Sequence, residues 1–107
     1  TRPNVTIVTS IVNSAFRYAL GVTEAQLREA TCSQVAQLLR DLRIQRGLSM
    51  TELAARAGLS RAMISFIEHE LRNPTLDTLL RIAAVLKVDL AEVLRQAATE
   101  AAKKSHA

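Results

Sequence analysis

The sequence predicts an all-α fold of several short helices, and three observations carry that expectation. Apolar residues make up 49% of the chain but aromatics only 3%, so a core must be built from Leu, Ile, Val and Ala. Three glycines and two prolines are too few to punctuate many strands and tight turns. Helix-opening spacings, in which a Ser, Thr or Asp precedes a Glu or Gln by three positions, recur at Thr23–Gln26, Thr31–Gln34, Ser49–Glu52 and Asp89–Glu92.

The elements follow in order. Over residues 4–20, Val5, Val8, Ile11, Val12, Ala15, Phe16, Ala19 and Leu20 share one broad helical face, while Thr6, Thr9, Asn13 and Arg17 share the other. The β-branched cluster Val5–Thr9 would suit a strand. The adjacent pairs Ile7-Val8 and Ile11-Val12 break the alternation a strand needs, so a helix is expected. Gly21 is its stop. Thr23 opens a short helix, and Thr31 opens the next, which ends near Arg46 with Gly47 behind it. Ser49 opens a helix that Gly58 closes after about two turns. Ser60 can cap a helix to about His69. Asn73-Pro74 breaks the chain, and Thr75 caps a helix through Leu86. Asp89 opens a last helix that is expected to fray near Lys103-Lys104. The expected organisation is a helical extension over residues 1–34, a compact domain over 35–98 and a mobile tail over 99–107.

Composition narrows the function classes. The net charge of +4, carried mostly by Arg with only three Lys, mildly favours an anionic partner, although such a charge also serves plain solubility. A single cysteine, Cys32, rules out an internal disulfide, offers no zinc-ligand cluster and fits a reducing cytoplasm. It is expected to be a small buried or semi-buried thiol. No apolar run reaches the length of a membrane span, and no secretory leader is visible, though a longer natural N-terminus stays open. His69 and His106 have no nucleophile or carboxylate at a catalytic spacing, and no Gly-rich phosphate loop is present. Neither an enzyme nor a bound cofactor or metal is expected.

The segment Met50–His69 carries the functional signal. Leu53, Ala54 and Ala57 fall on one face of its first helix, and Ile64 and Ile67 on one face of its second. Leu59 sits in the turn. Ala54 is small where two crossing helices approach, and Gly58 permits the positive φ of a sharp helix-helix turn. Together these features specify a steeply crossed helix pair.

With the residues around it, this pair resembles the lambda-repressor-like (Cro/Xre) helix-turn-helix family. The resemblance runs through Leu38-Leu39-Arg40-Asp41-Leu42-Arg43, Ile44-Gln45-Arg46-Gly47-Leu48-Ser49, Thr51-Glu52-Leu53-Ala54, Gly58-Leu59-Ser60 and Ile64-Ser65-Phe66-Ile67-Glu68. It continues through Asn73-Pro74-Thr75-Leu76-Asp77-Thr78-Leu79 to Ala83, Val85-Leu86-Lys87-Val88 and Leu90, and covers about residues 35–96. It implies a five-helix DNA-binding bundle whose third helix enters the major groove. The N-terminal end of such a helix reaches base edges, which in this chain means Ser60, Arg61, Ala62, Ser65 and Phe66. Arg61 is the best base reader, most naturally bidentate to guanine, or else neutralises a phosphate. Ala62 and Phe66 suit thymine methyl groups, though Phe66 could instead tuck against another helix or a partner. Ser60 can cap its helix and contact a phosphate at once.

Phosphate contacts are expected at Ser49, Met50 and Thr51, the N-terminal end of the preceding helix, and at Arg72 and Asn73 in the loop after the recognition helix. The chain departs from the family at one of these places and at one beside them. Met50 stands where Gln is usual and cannot donate a side-chain hydrogen bond. Glu70 stands where Gly is usual and puts a negative charge near the DNA backbone. In similar proteins the equivalents of Arg43 and Glu68 form a partly buried pair, which here would orient the recognition helix.

The expected partner is double-stranded DNA, bound as a homodimer on a palindromic operator, with repression the expected outcome. Val5, Val8, Val12, Ala15 and Ala19, spaced alternately three and four apart, mark the extension as a candidate pairing element together with Ile11 and Phe16. Folding back onto its own bundle is the other course open to it. A protein-interaction module or antitoxin using the same bundle is the alternative function, in keeping with Met50, Phe66 and Glu70.

Overall fold

The structure is a computed structural model that describes residues 21–105. The helix expected over 4–20 and the pairing candidates Val5, Val8, Ile11, Val12, Ala15 and Phe16 lie outside the described residues. Within them the chain forms five helices: α1 (Glu24–Gln45), α2 (Met50–Ala57), α3 (Arg61–Glu68), α4 (Leu76–Leu86) and α5 (Leu90–Ser105).

The caps explain most of the boundaries. Thr23 opens α1 with a full capping box: its hydroxyl accepts from the Gln26 N–H at 3.1 Å, and Gln26 accepts from the Thr23 N–H at 3.0 Å. Ser49 and Glu52 repeat that arrangement at the start of α2. Ser60 caps α3 and Thr75 caps α4, each accepting from the N–H three residues on. At α5 the Asp89 carboxylate accepts from the Ala91 N–H at 3.0 Å.

Two readings of the ends are corrected. The short helix from Thr23 and the next from Thr31 are one, because α1 runs unbroken for 22 residues. Thr31 and Gln34 have capping spacing, but no Gly or Pro between them and Thr23 stops the helix already under way, and Glu24–Ala30 are mostly strong helix formers. Position 34, expected to end the extension, therefore lies inside α1. At the other end, α5 continues to Ser105 where a mobile tail was expected from residue 99. Ala97 and Ala101 are both fully buried, so packing carries α5 past residue 99 and through Ala101, short of the exposed Lys103-Lys104 where fraying is expected.

The core is aliphatic. Val35 and Leu39 of α1, Leu53 and Ala54 of α2, Ile64 and Ile67 of α3, Ile82 and Leu86 of α4, and Val93 and Ala97 of α5 form one cluster. The longest helix, α1, packs chiefly against α5, while α2 packs against α3 and α4, both of which also touch α1. Cys32 is exposed, contrary to the buried or semi-buried thiol expected. It shares the face of α1 that carries Val35 and Leu39 into the core, but it lies a turn earlier and borders a cleft of about 530 Å³ between α1, the end of α3 and α5.

Candidate nucleic-acid interface

The helix pair α2–α3 turns at Gly58, which adopts φ 70° and ψ 34°. The Leu59 N–H then donates to the Ala54 carbonyl at 2.9 Å and closes the end of α2. A Cβ at Gly58 would meet only Arg81 Nη1 at 3.1 Å, the movable end of an exposed side chain, so it is the left-handed φ that favours glycine there. Ala54 is 3% exposed, which lets α3 cross close to α2.

α3 has one locked face and one open face. Ile64, Ile67 and Glu68 are buried. Arg61 and Ala62 are exposed, and Ser65 and Phe66 are half-buried. These four residues, one or three to four positions apart, lie on one side of the helix. The five sequence-predicted reading residues, with Ser60 at the cap, are thus brought together at one end and one face of α3. The Ser60 hydroxyl is engaged as the N-cap, accepting from the Met63 N–H at 3.0 Å.

Charge at that end is distinctive. The first turns of α1, α2, α4 and α5 carry Glu24, Glu52, Asp77 and Glu92 respectively, as the helix dipole favours. The first turn of α3 has no acid and carries Arg61 instead. That choice forgoes a few tenths of a kcal/mol of helix stability and leaves the end of α3 suited to an anion.

The locked face is held by a charged clamp. Arg43 Nε donates to one Glu68 carboxylate oxygen at 2.7 Å and Nη2 to the other at 2.9 Å, a bidentate fork. Arg43 Nη1 donates to the Leu48 carbonyl at 2.8 Å. The side chains of Arg43 and Glu68 are only 11% and 4% exposed. One guanidinium thereby ties α1, the turn that opens α2, and α3 to each other. The hydrogen bond to Glu68 raises the Arg43 pKa, with the carboxylate charge adding to it and burial opposing it.

The remaining predicted residues divide. Ser49 is engaged in its capping box, which also holds the Glu52 carboxyl below the usual carboxylate range through the Ser49 N–H and hydroxyl. Met50 is half-buried and packs against the core, where its unbranched thioether fills the edge of the cluster. A phosphate there could meet only its backbone N–H. Thr51 and Asn73 are exposed. Arg72 lies over the Phe66 ring, 4.9 Å from its centroid.

That Arg72–Phe66 stack joins two predicted residues that the sequence kept apart. They sit across the end of α3, where Glu70 takes φ 59°. The Glu70 N–H donates to the Ile67 carbonyl and the Leu71 N–H to the Phe66 carbonyl, the turn a glycine would make. Glu70 therefore does not change the path of the chain. It makes the same turn with a strained residue.

Comparison with known proteins agrees with this architecture. The helix-turn-helix family model HTH_3 matches residues 39–93. The HTH-type transcriptional regulator SinR of Bacillus licheniformis is 33% identical over 63 residues, covering 58% of this chain and 57% of its own length. An immunity repressor protein of Bacillus phage phi105 is 33% identical over 60 residues, covering 56% of this chain and 42% of its own length. The chain thus spans about half the length of these relatives. A crystal structure of SinR, described as the master regulator for biofilm formation, in complex with DNA superposes with a TM-score of 0.54 at 34% identity. It covers 56% of this chain and 97% of that one. The match to the family model over the whole clamp and helix pair means that this chain belongs to the lambda-repressor-like helix-turn-helix family.

Proposed function

We propose that this chain is a sequence-specific DNA-binding transcriptional regulator, a repressor that reads the major groove with α3 as a homodimer on a palindromic operator. The observation that carries the reading is the end of α3: an acid-free first turn with Arg61, Ala62, Ser65 and Phe66 facing outward from a helix whose back is locked. Relatives named as transcriptional regulators and a phage repressor support it.

Arg61 donates two hydrogen bonds to a guanine edge. Ala62 and Phe66 contact thymine methyl groups, with Arg72 holding the Phe66 ring and reaching toward a phosphate. Ser65 donates to a base or phosphate. The Met50 and Thr51 N–H groups at the start of α2 take a second phosphate, with Ser49 and Asn73 beside the path of the strand. Arg43 and Glu68 fix the angle at which α3 enters the groove. The net charge from Arg40 to Arg72 is only +2, six Arg less four acids, so the dependence on salt is shallow.

The test is selection of bound duplexes from a random-site DNA pool by the full chain, followed by titration at several salt concentrations. Enrichment of a two-fold symmetric sequence is expected, with binding that weakens only modestly as salt rises. No enrichment, with a co-purifying protein, would overturn the reading in favour of a protein-interaction module.

A further inference from the structure

His69 follows the last turn of α3, and its ring turns back onto that helix. Its Nδ1 lies 2.8 Å from the Ser65 carbonyl oxygen and 3.3 Å from the Ser65 hydroxyl oxygen. The same carbonyl accepts the His69 backbone N–H at 3.0 Å. Arg61, Ser65 and His69 are spaced four apart, so they form one line along α3. Arg61 and His69 are exposed, and Ser65 between them is half-buried. His69 stands one turn beyond Ser65, away from the N-terminal end of the helix that reaches base edges.

The hydrogens on these groups can be placed. A carbonyl oxygen only accepts, so at 2.8 Å the ring presents Nδ1–H to Ser65. A bare Nδ1 would set two lone pairs against each other. The Ser65 hydroxyl oxygen, beside the same N–H, then shares it as a second acceptor, and the hydroxyl hydrogen points elsewhere. In a helix that hydrogen commonly goes to the carbonyl four residues back. Thr99 does this, donating to the Arg95 carbonyl at 3.0 Å. Ser65 does not: among the described residues, His69 Nδ1 is the one hydrogen-bond partner of its hydroxyl.

We infer that His69 is a positioning residue that sets the Ser65 hydroxyl as an outward donor, so that the base facing Ser65 presents an acceptor: a purine N7, guanine O6 or thymine O4. The inference rests on the DNA-binding reading and deepens it at one contact. Without His69 the hydroxyl hydrogen turns back to the Arg61 carbonyl. Ser65 then offers only lone pairs, which suit the amino groups of cytosine and adenine. With His69 in place, an amino group opposite Ser65 strands the hydroxyl donor, and that penalty discriminates between bases. Nδ1 carries its hydrogen in the neutral ring and in the imidazolium alike, so the donor role does not depend on the charge of His69.

The full chain tests the assignment in two ways. Long-range proton–nitrogen correlation spectra of isotope-labelled protein show which ring nitrogen carries the hydrogen. The His69 signals are identified by their loss in His69→Asn. At a pH where the ring is neutral, hydrogen on Nδ1 is expected. Hydrogen on Nε2 overturns the assignment whether or not the chain binds DNA. The DNA selection is then repeated with Ser65→Ala, His69→Ala and His69→Asn. Ser65→Ala marks the position that Ser65 reads, and wild type should select an acceptor edge there. His69→Ala is expected to lose that preference and to bind the selected duplex about three- to tenfold more weakly, the range of one hydrogen bond. The guanine preference set by Arg61 should stay. His69→Asn, whose Nδ2–H takes the place of Nδ1–H, is expected to retain both preferences. Circular dichroism checks that each variant keeps its helices. An unchanged selected sequence in His69→Ala, or an equal loss on every duplex, leaves His69 a mere helix cap and overturns the assignment. If the pool yields no preferred duplex, the DNA reading fails by itself, and the ring spectra still decide where the hydrogen sits.

Discussion

Replacing Arg43 by Ala removes three hydrogen bonds at once and leaves Glu68 as an unpaired carboxylate that is 4% exposed. Breaking a buried pair by deleting one partner costs about 3–5 kcal/mol, because the surviving charge stays desolvated. The Leu48 carbonyl also loses its donor, which puts the expected loss toward the upper part of that range. With a urea slope near 1–1.5 kcal/mol per molar, the unfolding midpoint should fall by roughly 3–5 M. Removing both charges, Arg43→Met with Glu68→Leu, should return stability to within about 1 kcal/mol of wild type, since no buried charge is then stranded. Urea titrations of wild type, Arg43→Met, Glu68→Leu and the double variant, followed by circular dichroism, give the coupling between the two positions. Duplex affinity, measured where both proteins are folded, should fall at least tenfold from wild type to Arg43→Ala, because α3 is no longer fixed to α1 and the α2 turn. A loss of less than about 1 kcal/mol together with full affinity would refute the clamp argument.

Other changes have defined outcomes. Glu70→Gly should raise stability by about 0.5–1 kcal/mol, since relief of the left-handed strain exceeds the extra freedom glycine gains when unfolded. It should also tighten duplex binding by removing a negative charge; a lower melting temperature would contradict the turn geometry. Glu52 titrates below its unfolded value, so its contribution to stability is complete above the ordinary glutamate range and is lost as pH falls through the lowered folded value. Glu52→Gln, which keeps an acceptor for the Ser49 N–H, should flatten that acid-side loss in denaturation curves taken at neutral and acid pH. Gly58→Ala should destabilise by about 1–2 kcal/mol, read in the same urea assay, because a side chain there is strained at the left-handed φ.

The sequence carried the starts of helices better than their ends and continuity. Ser49, Ser60, Thr75 and Asp89 cap the helices they were expected to open, because capping is local chemistry between residues two or three apart. Thr31 shows the limit of such signals: the spacing is present, yet a helix already propagating through Ala30 has no reason to stop. The continuation of α5 past residue 99 was illegible because Ala97 and Ala101 read as bland residues until α1 is packed beside the helix. The exposure of Cys32 was missed for the related reason that periodicity gives a face but not what lies opposite it. At the candidate site, the Arg43–Glu68 geometry was anticipated from the family resemblance and not from spacing, since the partners are 25 positions apart. The Arg72–Phe66 stack depends on the path of the turn at Glu70, and no pattern in the sequence marks it.

The account depends most on the outward face of α3 meeting base edges, and repeating the DNA selection with Arg61→Ala tests that directly. Wild type should select a guanine at one position in each half-site. The variant should lose that preference alone, with about a 10- to 150-fold drop on the original site, the worth of one bidentate base contact. An unchanged selected sequence in the variant, or an equal loss of affinity on every duplex, would contradict the claim that Arg61 reads a base.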